Sequence, residues 1–213
     1  MDKQRTTILF ALMLASTVGL TEPIEKAAPP CNDKLIEKYQ KGVEDNNAQS
    51  IYMMARYYST GKCLAGDGKK AIQLYFQAAE QSYPPAFYNV GMILAANQEF
   101  EQAAKMFFAG AALGHRGSEL QLGILYSLVP PPIGNDLQAY AWLSLTAGRS
   151  EPVAEEAKSI LKRVKSRLSG SELERAQELA KKINADFGSL PPFKHEEANK
   201  PIQQMPKNGA ADG

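Results

Sequence analysis

The chain has 213 residues, enough for one domain with an apolar core, and 24 Lys+Arg against 23 Asp+Glu. That even balance argues against a nucleic-acid binder, which carries a basic excess or stripe. The nearest candidate, Lys162, Arg163, Lys165 and Arg167, reads as the solvated face of a helix.

The N-terminus reads MDKQRTTILFALMLASTVGLTEP. Lys3 and Arg5 precede an apolar run from Ile8 to Leu20. That run falls short of the roughly 20 residues a bilayer span needs, so residues 1–19 are expected to be a secretory signal peptide and no stable membrane span is expected. Residues 20–30 are read as a flexible segment. Two cysteines follow, Cys31 and Cys63. In an exported protein an even count permits one bridge, although two free thiols satisfy the sequence equally.

Residues 31–49 contain the amphipathic stretch CNDKLIEKYQKGVEDN, a single capping helix. Internal repetition begins after it. Ala71, Ala103 and Ala139 each precede a large residue by four (Tyr75, Phe107, Leu143) and another alanine by eight (Ala79, Ala111, Ala147). Upstream, segments starting at Ser50, Ala86 and Ser118 repeat an apolar–small pair: Met54–Ala55, Val90–Gly91 and Leu122–Gly123. From each marker alanine to the next start (71 to 86, 103 to 118, 139 to 154) the distance is constant. From start to alanine it is 21, 17 and 21, so the second unit is shorter between its two helices.

The spacings are helical, and each unit reads as helix A, loop, helix B. Asp67 and Asn135 are suitable N-caps for helix B. Gly61, Gly66 and the stretch Pro130 to Gly134 supply turns, and Pro84, Pro85 and Pro152 mark helix entries. Small residues on facing helices allow close approach, and the large residues fill what remains. A single hairpin would expose an apolar face, so the units must stack. The fold expected is all-α: an α-solenoid with repeats at 50–85, 86–117 and 118–153 and capping helices over 154–186. Ser169 and Glu172 are spaced as a capping box opening a polar, solvent-facing last helix. Residues 187–213, proline-rich and without hydrophobic period, are expected to be a disordered tail.

These residues resemble Sel1-like repeats, relatives of tetratricopeptide repeats. The match rests on Met54, Ala55, Tyr58, Gly61, Asp67, Lys70, Ala71, Tyr75, Ala78 and Ala79 in unit one. In unit three it rests on Leu122, Gly123, Tyr126, Asn135, Ala139, Trp142, Leu143 and Ala147. Unit one departs by Ala55 in place of glycine, and unit two by Leu94 in place of tyrosine and by lacking the Gly-rich loop. The resemblance implies an adaptor that binds a protein or peptide on a concave surface lined by A helices. It also implies a disulfide between Cys31 and Cys63, as in a few exported members.

The helix A residues flanking each core position are Tyr52 and Arg56, Tyr88 and Met92, Leu120 and Ile124. They are either partner contacts on that concave surface or packing between neighbouring hairpins. The two histidines, His115 and His195, lack neighbours at metal-ligand spacing, and no nucleophile or phosphate-loop motif occurs. No catalytic residue, metal or cofactor is therefore expected. The function expected is a non-catalytic adaptor in the periplasm or secreted. The alternative is an envelope enzyme or inhibitor, in cell-wall or antibiotic handling, with the repeats as scaffold.

Overall fold

The computed structural model describes residues 31–190. The expected signal peptide, the 20–30 segment and the tail beyond 190 lie outside these residues. The described residues form nine helices and no strand: α1 (Asp33–Glu44), α2 (Ala48–Thr60), α3 (Gly68–Glu80), α4 (Pro84–Ala96), α5 (Phe100–Ala112), α6 (Arg116–Leu128), α7 (Asp136–Ala147), α8 (Val153–Lys165) and α9 (Gly170–Phe187). Helices α2/α3, α4/α5 and α6/α7 pair as hairpins, and each hairpin packs on the next.

Local chemistry sets the boundaries. Asn32, Asn47, Asp67, Asn135 and Ser169 each cap a helix through a side-chain oxygen, answering backbone N–H groups that the first turn leaves unpaired. Gly61 ends α2 in a left-handed conformation, φ 65°, which costs glycine no Cβ clash.

Within a hairpin, the large residue of helix B enters the small position of helix A. A Cβ on Gly91 would sit 2.6 Å from the Phe107 ring, and one on Gly123 would sit 2.8 Å from Leu143. Phe107 and Leu143 are fully buried there, each contributing about 1.5–3 kcal/mol. Unit one has Ala55 instead and takes Tyr75, whose hydroxyl hydrogen-bonds Ser59 Oγ at 3.1 Å. Between hairpins a second small pair recurs, eight residues apart in sequence: Gly42/Ser50, Ala78/Ala86, Gly110/Ser118 and Thr146/Ala154. Gly42 and Gly110 have no room for a Cβ against their serines. By this register α1 is a lone helix B, the half-unit that caps the stack.

The other end departs from expectation. Helix α8 packs on α7 and α6 as a further helix A. Helix α9 does not form a hairpin with α8; it turns back and lies along α7. Its capping box is present, and Arg167 before it binds Asp136, tying the turn to the start of α7. Its face toward α7 is buried through Ala176, Ile183 and Phe187, so α9 is not the solvent-facing cap its charges imply. Phe187 was expected to open the tail; it is 6% exposed.

Candidate functional site

The six helix A residues proposed from sequence divide in two. Tyr52, Leu120 and Ile124 are buried in the core. Tyr52 lies between Tyr75 and Tyr83, with ring centroids 5.7 and 4.9 Å away, and its hydroxyl accepts a bond from Asn89 Nδ2 at 3.3 Å. Leu120 and Ile124 pack with Val153, Ala157 and Ile160 of α8. Arg56, Tyr88 and Met92 are half-buried, with the Tyr88 ring against Phe107 and His115. For the positions on α4 and α6 the physical reason is that α6 packs on α8 and α4 on α6, which places them in the joint between A helices; Tyr52 on α2 is instead enclosed by Tyr75, Tyr83 and Asn89. For Tyr52, Leu120 and Ile124 the packing alternative holds.

An open cleft lies elsewhere, among helix B of unit two, helix B of unit three and α9. It has a volume of about 710 Å³. Phe108, Tyr126, Ile133, Trp142, Ile183 and Phe187 give it apolar walls. Glu101 and Lys105 on α5 and Lys182 and Asp186 on α9 bring charge of both signs to it. The aromatic residues pack into one wall: Phe108 meets Trp142 edge-on at 5.9 Å and Phe187 edge-on at 5.7 Å, and Trp142 and Phe187 are 5.1 Å apart. Such pairs add about 0.5–1.5 kcal/mol beyond area burial. Burial raises the Tyr126 phenol above its usual value, so at neutral pH it remains a neutral hydroxyl.

The α9 side of this cleft is held by a buried ion cluster at the start of α6. Glu119 is fully buried and accepts from Arg116 Nη1 at 2.6 Å and from Arg149 Nη2 at 2.8 Å and Nε at 3.2 Å. The two guanidinium groups then donate outward to backbone carbonyls at and just after the end of α9. Arg149 bonds Phe187 O at 3.0 Å and Gly188 O at 2.7 Å, and Arg116 bonds Leu190 O at 2.6 Å. Phe187 O and Gly188 O lie at the helix end, where carbonyls lack intrahelical partners, and an arginine fork at the negative end of the helix dipole suits them. Residues 187–190, expected to open the tail, are therefore anchored.

Disulfide Cys31–Cys63 is formed, joining the chain before α1 to the α2–α3 loop. Among the described residues no three His, Cys, Asp or Glu side chains group as a metal site, and no helix is long and apolar enough to cross a membrane.

Solved structures place the architecture. A Sel1 repeat protein from Oxalobacter formigenes superposes with a TM-score of 0.52, at 20% identity, over 60% of this chain and 97% of that one. This chain has the Sel1-like repeat fold. Two looser likenesses are the protective antigen c5321 of uropathogenic Escherichia coli, described as an SLR fold, and immunity protein Pa5087 from Pseudomonas aeruginosa. They share 19% and 18% identity over 98% and 97% of this chain and 50% and 91% of their own, with TM-scores of 0.41 and 0.34. No family model and no curated protein matches the sequence.

In this Sel1-like solenoid the cleft depends on α9, which lies beyond the three recognisable repeats. The sequence held a signal for it: Leu179, Ile183 and Phe187 form an apolar line at i, i+4 and i+8 on an otherwise charged helix. Phe108 and Trp142 looked like ordinary repeat residues, because neither position reveals which helix will cover it.

Proposed function

We propose that this protein is a non-catalytic scaffold of the bacterial envelope that binds another protein or a peptide, with the cleft between α5, α7 and α9 as its principal contact. The observation that carries this reading is the composition of the cleft: a packed aromatic floor with charges of both signs at the edges. Trp, Tyr and Phe anchors in a concave, largely apolar recess are what peptide and protein recognition uses. Arg56, Tyr88 and Met92, half-buried on A helices, remain secondary contact candidates within the same proposal. Export to the periplasm or beyond is supported by the signal-like N-terminus and by the disulfide, which persists in an oxidising compartment.

The test is site-specific photo-crosslinking in envelope preparations, with the photoreactive group at the exposed Lys182. Discrete adducts that disappear when Ala104→Arg fills the cleft support the proposal. Adducts unchanged by Ala104→Arg, or none at all, overturn it. Intact mass of the protein recovered from the envelope tests removal of the first 19 residues.

A further inference from the structure

Two polar groups in the cleft walls have no partner among the described residues. Trp142 lines the cleft and is 3% exposed, yet its indole N–H meets no acceptor there. The side-chain polar atoms sealed from solvent without a partner are Tyr57 Oη, Arg116 Nε, Gln121 Nε2 and Glu151 Oε2. Trp142 Nε1 is not one of them, so it reaches solvent, and the cleft is the opening that Trp142 lines. Tyr126, half-buried on α6, lines the same cleft, and its hydroxyl is likewise unbonded among the described residues.

An indole N–H only donates, so a ligand that satisfies it must bring an acceptor. Acceptors in the cleft are mostly committed. Asn135 Oδ1 caps α7, accepting from Leu137 N–H at 3.0 Å and Gln138 N–H at 3.2 Å, and Glu101 pairs with Lys105 at 2.9 Å. Gln138 and the exposed Asp186 remain. A backbone with more carbonyls than N–H groups suits such a site, because every N–H brought in would need an acceptor. Proline supplies a carbonyl and no N–H. In the polyproline conformation those carbonyls are unused within the chain, and the rings dock on aromatic faces such as Phe108, Trp142 and Phe187 offer. The charges of the cleft balance, Glu101 and Asp186 against Lys105 and Lys182, which matches a segment of low net charge.

We infer that the cleft receives an extended, proline-containing segment of a partner chain, with the Trp142 indole N–H and the Tyr126 hydroxyl donating to its backbone carbonyls. This rests on the cleft reading above and narrows it from a peptide site to a site for one class of backbone.

The probe is acetyl-decaproline amide, titrated into the isotope-labelled full chain and followed by nuclear magnetic resonance. Trp142 is the single tryptophan, so one indole N–H signal reports on the site. The expected result is a saturable downfield shift of that signal. Tyr126→Phe keeps the ring and removes an unbonded hydroxyl, so it should leave the thermal midpoint in place and weaken binding about three- to tenfold. Ala104→Arg should abolish binding. A glycine–serine peptide of equal length, which is flexible and rich in N–H groups, should bind at least about tenfold more weakly. The inference is overturned by no shift at millimolar decaproline, by equal binding of the glycine–serine peptide, or by binding indifferent to Tyr126→Phe. It is also overturned if the indole signal of the full chain is already shifted relative to a chain ending at Leu190, which makes Pro191 and Pro192 of the same chain the occupant. Lys182 adducts that depend on Ala104, without decaproline binding, keep the cleft reading and remove this one. Adducts that are absent or indifferent to Ala104→Arg remove both.

Discussion

The two ends of this solenoid solve one problem by different physics. At the N-terminal end, α1 is a half-unit with a single buried apolar side chain, Ile36, and a covalent bond keeps it in place. At the C-terminal end, α9 is non-covalently held by an aromatic wall and a buried Arg–Glu–Arg cluster that grips its last carbonyls. A stack must terminate with its apolar faces covered. The comparison teaches that a weak hydrophobic seat can be secured by limiting the unfolded chain, whereas a strong one can carry buried charge. The second end also creates the cleft, because α9 leaves the hairpin pattern.

The largest effect should come from breaking the C-terminal anchor. Glu119→Ala leaves Arg149 without its carboxylate and Arg116 with Glu151 alone, at 3.6 Å, and is expected to cost about 3–5 kcal/mol by urea denaturation. Since domains hold about 5–15 kcal/mol in all, that is a large fraction. Trp142, the single tryptophan, packs against Phe187, so its fluorescence should shift as α9 leaves. A destabilised variant with an unshifted emission would show that α9 stays docked without the cluster.

Breaking the N-terminal anchor comes next. Cys31 and Cys63 are 32 residues apart. Cys31→Ser with Cys63→Ser should cost about 2–4 kcal/mol through the freed unfolded chain. Faster hydrogen exchange should be confined to α1 and the α2–α3 loop, with Trp142 emission unchanged. Exchange that spreads through α7 would mean the two ends are coupled.

The middle supplies the reference. Gly91→Ala puts a methyl against the buried Phe107 ring and is expected to cost about 1–3 kcal/mol in thermal melts, without preference for either end. The smallest effect belongs to the α9 capping box. The Ser169 hydroxyl and backbone N–H hold the Glu172 carboxylate below its usual 4.5. With the folded pKa depressed, this contribution is complete above the unfolded value and fades as pH falls through the lower folded value. Ser169→Ala should therefore flatten the stability profile below about pH 4.5, near the ordinary glutamate pKa. A profile unchanged by Ser169→Ala would show that the box contributes nothing to α9.

Much of the fold was legible because repetition multiplies a weak signal. One alanine at position 71 means little; alanines at 71, 103 and 139, each with a large residue four beyond, fix a register. The caps Asp67, Asn135 and Ser169 were legible because a cap is chemistry within one turn. The site was less legible. Tyr52, Leu120 and Ile124 carry the residue types of an interface, yet the same types fill the joint between A helices. Only tertiary packing separates the two roles: α6 on α8 for Leu120 and Ile124, and the Tyr75 and Tyr83 rings for Tyr52. Arg116, Glu119 and Arg149 carry no local pattern that marks them as a cluster, which forms across 30 residues of sequence.

By itself, then, the sequence determined the helical period, the hairpin register and the close-packed pairs, all of which depend on neighbours within about one repeat. It also held both cysteines, though nothing in their spacing required them to meet. Tertiary structure alone decided that α9 turns back along α7, that Glu119 is shared by two arginines, and that Phe108, Trp142 and Phe187 converge on a cleft. The physical reason is range. Periodicity and capping act within a few residues, but the path of α9 depends on which distant apolar face remains uncovered once the hairpins have stacked.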